Sequence, residues 1–242
     1  MSLLDIFIPK NKPLCILCRE RYPESGVHWQ SGGLCVCERC FEESEKFSSP
    51  AAFKREKNLK FHICALPYKG MMRKAFKRYK FCGEWAYKDV FSQILYECLE
   101  SFWHDGDFDL MVPVPLSEER MRERGYNQSA YLAEYAAEKT GTAYAADALR
   151  RIRHTERQSG LDAKSRVSNV RGAFRADRAK TEGKKILLID DIYTLGATMH
   201  ECADTLCGCG AAEVAGLTLF KAIMPYDDEN FEYDFAKVLQ PE

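Results

Sequence analysis

What the sequence lacks narrows the possibilities first. It has no run of about twenty apolar residues of the kind a bilayer-spanning helix needs, and its opening residues carry Asp5 and too little apolar length for a secretion signal. No membrane insertion is expected, and a cytoplasmic location is. Charge of one sign is missing as well: 35 Lys and Arg meet 36 Asp and Glu, a formal net charge of -1. No global field therefore draws the chain to nucleic acid or to a membrane surface. Internal repeats, low-complexity tracts and coiled-coil heptads are also absent, which excludes solenoids and filaments.

In a reducing compartment the eleven cysteines do not read as disulfides, and an odd number cannot all pair within one chain. Metal ligation is the next use to consider. Cys15-Ile16-Leu17-Cys18 and Cys37-Glu38-Arg39-Cys40 form two C-x2-C knuckles separated by eighteen residues, within the spacing of a four-cysteine zinc site. Thiolates two residues apart approach one tetrahedral ion from a single turn. Pro23, Gly26, Gly32 and Gly33 lie between the knuckles and suggest a short hairpin with little core of its own, which needs the metal to fold. Cys35 offers a rival C-x4-C pairing with Cys40, but Cys37 repeats the geometry of the first pair and is preferred. Four thiolates close the shell, so the zinc is expected to be structural and His28 to lie at the surface.

The 242 residues, 46% hydrophobic and 29% charged, suit one α/β domain with a small appendage. The expected division is a zinc-binding module and linker over 1–58 and a second domain over 59–242. Residues 42–60 are polar and punctuated by Ser48-Ser49-Pro50, as a linker would be. A strand is predicted over 61–68, and Gly70 turns it into a basic amphipathic segment over 71–81. Tyr87, Val90, Phe91, Ile94, Leu95, Cys98, Leu99 and Phe102 recur at helical spacing and predict a core-facing helix. A short strand over 109–114 is closed by Pro113 and Pro115. Tyr131, Leu132, Tyr135 and Ala136 mark a second helix ending at Gly141, a weak strand follows near 142–145, and 213–220 is a last apolar strand. This alternation predicts an α/β fold with a mostly parallel central sheet flanked by helices. From Arg150 to Arg178 nine Lys and Arg face three acids, a long basic stretch that seeks an anion.

The chain is organised around residues 184–199, Lys-Lys-Ile-Leu-Leu-Ile-Asp-Asp-Ile-Tyr-Thr-Leu-Gly-Ala-Thr-Met. They read as a buried strand ending in Asp190 and Asp191, then a small-residue turn that opens a helix near Thr198. Met199, Ala203, Leu206 and Cys207 then share one face. Free N–H groups and the dipole at the helix start suit a phosphate, while the two acids suit sugar hydroxyls or a divalent cation. Adjacent acids after an apolar run also occur as plain turn-formers. Here, however, the run D-D-x-x-T-x-G-A-T resembles the PRPP-binding signature of type I phosphoribosyltransferases.

The order of motifs along the chain extends that likeness. It resembles the ComF/GntX family, phosphoribosyltransferase-like proteins with an N-terminal zinc-binding module, linked in some bacteria to uptake of transforming DNA. The shared features are the knuckles, Val112-Pro113-Val114-Pro115, the run from Arg122 to Gln128, Gln158 through Leu161 with Arg166, Asn169 and Phe174, and the acidic signature. The resemblance implies a type I phosphoribosyltransferase-like core, with a pyrophosphate loop near Pro115 and a flexible loop over 153–166. It implies PRPP bound by Asp190, Asp191, Thr194, Leu195, Gly196, Ala197 and Thr198. The 194–198 turn takes the 5-phosphate, and the two acids, expected to be catalytic, take the ribose hydroxyls directly or through Mg²⁺. Arg120, Arg124 and Arg166 are the implied pyrophosphate ligands, and a structural Zn²⁺ with Mg²⁺ accompanying PRPP are the implied cofactors.

Leu195 stands where such enzymes often carry a second Thr; backbone donors survive the change. The implied reaction moves or cleaves a phosphoribosyl group, glycosyltransferase chemistry whose acceptor no base-recognition constellation reveals. The alternative is a non-catalytic role in DNA uptake, in which the zinc module and basic loop contact single-stranded DNA or another uptake protein. Trp29 either stacks on bases or packs in the hairpin, and packing is the expectation.

Overall fold

The computed structural model describes residues 12–31, 33–45, 51–53, 57–153 and 169–223. Three short strands come first: β1 (Leu14–Cys15), β2 (Val27–Ser31) and β3 (Leu34–Cys37). β3 pairs parallel with β1 and antiparallel with β2. Helix α1 (Glu38–Glu45) follows β3 directly, so the second knuckle straddles a strand-to-helix junction. Within the stretch that reads as a linker, β4 (Ala51–Phe53) pairs antiparallel with β5 (His62–Pro67).

Helices α2 (Gly70–Phe81) and α3 (Lys88–Glu100) lead to β6 (Leu110–Pro113). Then come α4 (Glu118–Arg124), α5 (Gln128–Thr140) and β7 (Ala143–Tyr144). A two-stranded antiparallel ribbon joins β8 (Leu149–Arg151) to β9 (Phe174–Ala176). The chain closes with α6 (Arg178–Thr181), β10 (Lys185–Tyr193), α7 (Ala197–Gly208) and β11 (Glu213–Lys221). The main sheet runs β4-β5-β11-β10-β6-β7, parallel throughout except at β4. The architecture is therefore the expected one, a mostly parallel α/β sheet flanked by helices with a four-cysteine module at its start.

Strand periodicity explains why the central run is apolar at every position. Ile186 and Leu188 of β10 pack in one core with Met199, Cys202, Ala203 and Leu206 of α7. Leu187 and Ile189 point the other way, into a core with Phe91 and Leu95 of α3 and Leu132 and Ala136 of α5. A parallel strand covered on both faces requires such a continuous run. The sequence predicts a strand that ends at the acids, yet β10 continues through them to Tyr193. Its neighbour β11 runs on to Lys221 and keeps Ile192 opposite Phe220 and Tyr193 opposite Lys221. On the other side β6 stops at Pro113, opposite Ile189, so β10 projects beyond its neighbour and a notch opens there.

The cysteine module leans on this domain. Ile16, Trp29 and Val36 belong to the same buried cluster as Phe91 and Leu95. The Trp29 indole donates to the Glu97 carboxylate of α3, and the Arg78 guanidinium of α2 donates to the Ile16 carbonyl. Arg19 pairs with Glu84 at 2.9 Å. Trp29, 7% exposed, packs in the hairpin as expected, and His28 lies at the surface. Each large apolar side chain buried here contributes about 1.5–3 kcal/mol, so the hairpin has a second support besides a metal. No helix among the described residues is long and apolar enough to cross a membrane.

Candidate functional site

Two separate groups of side chains can do chemistry. In the first, the Sγ atoms of Cys15, Cys18, Cys37 and Cys40 all lie within 4.8 Å of one another, and Cys18 and Cys37 are 3.9 Å apart. Sulfurs held about 2.3 Å from one tetrahedral zinc are about 3.8 Å apart, so the donor set fits that ion. Burial pushes the Cys15 and Cys40 thiols up, and a divalent cation would draw them back to thiolates. Cys35 is not part of the group; the pairing of Cys37 with Cys40 is the one that closes it.

The second group surrounds the notch beside β10. The run from Arg124 to Gln128 fastens one wall. Gly125 ends α4 with φ 77°, a left-handed conformation that favours glycine. Tyr126 donates its hydroxyl to the Tyr79 carbonyl at 2.6 Å. Asn127 accepts from the Ser129 N–H at 3.1 Å to cap α5, and its Nδ2 donates to the Val114 carbonyl at 3.0 Å. Gln128 accepts from Arg124 at 2.8 Å. These ties hold α4 and α5 to the end of β6, with Arg120 and Arg124 lining the pocket and the Ser129 hydroxyl donating to Asp190 Oδ1 at 2.8 Å.

The opposite wall is β10 and the turn into α7. Gly196 sits at φ 75°, and a Cβ there would stand 2.3 Å from the Tyr193 hydroxyl, so glycine meets both the conformation and the space. Asp190, Asp191, Thr194, Gly196 and Thr198 line the pocket together with Arg120 and Arg124. Leu195 lies in the turn and Ala197 at the first helical position, and neither lines the pocket. Arg166 lies outside the described residues, as does most of the loop expected over 153–166. Three contributors were not singled out from sequence: Lys80 and Arg151 line the pocket, and Ser129 holds Asp190. Arg151 and Lys80 each lie in a basic stretch visible in the sequence, over 150–178 and 71–81, without standing out in it, and Ser129 carries no local signal.

Charge governs this pocket. Lys80 Nζ meets Asp191 Oδ2 at 2.6 Å, with the two side chains 10% and 12% exposed. The same ammonium stands 4.8 Å from the centre of the Phe76 ring, one helical turn back. Burial pushes the Asp190 carboxyl up to about 7 and the Asp191 charge adds to this, while the Asp191 N–H, the Ser129 hydroxyl and Lys80 oppose it. Burial also lowers Lys80, with Asp191 in opposition, and it lowers Arg124 and Arg151. Lys80, Arg120, Arg124 and Arg151 thus face Asp190 and Asp191, a surplus of positive charge beside a helix N-terminus that favours an anion. A divalent ion on Asp191 would crowd the Lys80 ammonium, so the acid pair does not fit a protein-held Mg²⁺.

No protein-family model matches the chain. It is similar to competence protein ComFC of Streptococcus pneumoniae, 32% identical over 229 residues that span 86% of this chain and 99% of the relative. Competence protein F of Haemophilus influenzae is 25% identical over 218 residues, 83% of this chain and 93% of that protein. Among solved structures, a purine phosphoribosyltransferase from Pyrococcus horikoshii is 11% identical, with a TM-score of 0.34 over 60% of this chain and 91% of that one. The α/β fold rests on the sheet order and not on that score. With identity sustained over almost the entire length of the Streptococcus pneumoniae protein, the chain belongs to the ComFC family of competence proteins.

Proposed function

We propose that the pocket binds PRPP and that the protein transfers or cleaves its phosphoribosyl group with release of pyrophosphate. One observation carries this reading: a single pocket joins two acids of the projecting part of β10, a glycine turn at a helix N-terminus and cations from α2, α4 and β8. Each part matches one part of the ligand. Backbone N–H groups of the 194–198 turn face the 5-phosphate. Asp190 and Asp191 accept from the ribose hydroxyls and offset the positive charge that develops on the ring. Arg120, Arg124 and Arg151 face the departing pyrophosphate, and Arg166 joins them by its place in the motif. Mg²⁺ enters as the counter-ion of the diphosphate, and Zn²⁺ is the structural ion of the cysteine module. Residues 1–58 are assigned to that module and its linker and 59–242 to the phosphoribosyltransferase-like domain, with β4 the one piece of the first segment that, among the described residues, joins the main sheet.

The relatives are named competence proteins, and the setting we infer from that is DNA uptake, with the protein acting in the cytoplasm. Partners there would be single-stranded DNA or other uptake proteins, and a binding-only role would use the same pocket without turnover. Two measurements on the zinc-loaded protein test the reading. PRPP with Mg²⁺ is expected to raise the melting temperature, and Asp190→Asn with Asp191→Asn to abolish the rise; an unchanged wild-type melting temperature rejects the site. Pyrophosphate release across candidate bases and ammonia then separates transfer from binding alone, with the double variant as the blank.

A further inference from the structure

We propose that Lys80 is the resident cation of the acid pair: its ammonium holds the place on Asp191 that a divalent ion would take, and the pocket accepts a ribose 5-phosphate group without a protein-held metal. The second half of that statement rests on the sugar-phosphate reading above; the first does not.

The contact is built and not incidental. Lys80 and Asp191 meet at 2.6 Å with side chains only 10% and 12% exposed, whereas a solvent-facing pair would be loosely held. Lys80 lies in the last turn of a helix whose Met72, Ala75, Phe76 and Tyr79 are buried, so its backbone is fixed by packing. The Phe76 ring beneath the ammonium supports it further. Asp190 is also engaged: its Oδ1 accepts from the Ser129 hydroxyl and from the Asp191 N–H, both at 2.8 Å.

A hard divalent ion seeks several oxygen ligands and little competing positive charge. Here Arg120, Arg124 and Arg151 line the same pocket as Lys80, and any ion reaching Asp191 would be repelled by all four. A lysine ammonium carries three donors. One serves Asp191, and because Lys80 lines the pocket its ammonium can also donate to hydroxyl and phosphate oxygens, the groups a sugar phosphate presents. The resident cation thus does for the acids what a metal would do, and it is covalently part of the fold.

The test uses the full-length, zinc-loaded protein in buffer stripped of other divalent ions. Mn²⁺ is titrated and followed by electron paramagnetic resonance, which reads binding without turnover. Wild type is expected to leave the free Mn²⁺ signal unchanged. Lys80→Gln is expected to gain a site that removes free Mn²⁺ signal, and Lys80→Gln with Asp191→Asn to lose it. Equal Mn²⁺ affinity in wild type and Lys80→Gln, or no site in either, overturns the proposal. If Lys80→Gln does not fold, recovery of its melting transition by Mn²⁺ but not by NaCl of equal ionic strength supports the proposal, and failure to recover overturns it.

In a second arm, ribose 5-phosphate is expected to raise the wild-type melting temperature equally with and without Mg²⁺, and that of Lys80→Gln only with Mg²⁺. A wild-type shift that requires Mg²⁺ overturns the metal-free half. If ribose 5-phosphate shifts no protein under any condition, the sugar-phosphate reading falls, and the Mn²⁺ titration alone decides the role of Lys80.

Discussion

The cysteine cluster and the acid-lined pocket gather reactive side chains in opposite ways. The cluster draws four thiols from two pairs, each with two residues between its members, inside one small module of β1, β3 and the start of α1. The pocket takes its groups from α2, α4, β8, β10 and the start of α7, elements that meet only in the folded sheet. One site is local, and a metal held there would be part of what folds it; the other is topological and exists once the fold does. Damage to the first is therefore expected to be read as lost structure, and damage to the second as lost ligand affinity or a shifted charge balance.

Several changes break or sharpen this contrast. The largest effect is expected from Cys40→Ser, or from chelation, because a structural zinc couples its binding to folding. The cysteine module is expected to lose its fold, with hydrogen exchange rising over 12–45 and the sheet still protected. Exchange that rises equally everywhere would show the two regions to be one cooperative unit.

Asp191→Asn comes next. It leaves the Lys80 ammonium buried without its carboxylate, and breaking such a pair costs about 3–5 kcal/mol, measurable by urea unfolding. A loss below about 1 kcal/mol would mean that water screens the contact.

The pH dependence follows. The Asp190 carboxyl titrates at about 7 when folded, above the unfolded value of about 3.9, so the folded state binds the extra proton. Its contribution is complete below pH 4 and is lost as pH rises through 7, on the order of 2–4 kcal/mol. Melting temperatures from pH 5 to 8 should fall in wild type and be flatter in Asp190→Asn; parallel curves would remove Asp190 as the titrating group.

Gly196→Ala is expected to cost about 1–2 kcal/mol, since its φ of 75° disfavours any side chain, and to abolish stabilisation by PRPP. The smallest effect belongs to Lys60→Ala. Lys60 pairs with Glu213 at 2.9 Å while 52% exposed, and such a pair contributes no more than about 0.5 kcal/mol.

The same contrast explains what the sequence made legible. Knuckle spacing marks Cys15, Cys18, Cys37 and Cys40 because their geometry is set within a few residues. Periodicity identifies α3, α5, β5 and β11, whose apolar faces are dictated by burial. Asp190 and Asp191 stand out through an apolar strand followed by a glycine turn. Lys80 does not, because its neighbours on α2 form an ordinary basic amphipathic helix and its partner belongs to β10. Ser129 is hidden for the same reason: its role depends on where Asn127 anchors α5 against Val114. The short β4 escapes because its partner, β5, supplies the hydrogen-bonding edge that its own three residues cannot advertise.

Helix α2 has a further consequence. Arg78 reaches the cysteine hairpin at the Ile16 carbonyl, and two residues later Lys80 reaches Asp191 in the pocket. Residues two apart on an α-helix point about 200° from each other, so the helix is gripped from opposite sides. It is clamped between the cysteine module and the charged cavity, so the position of the Lys80 ammonium over the Asp191 carboxylate is set by contacts on both sides of one helix.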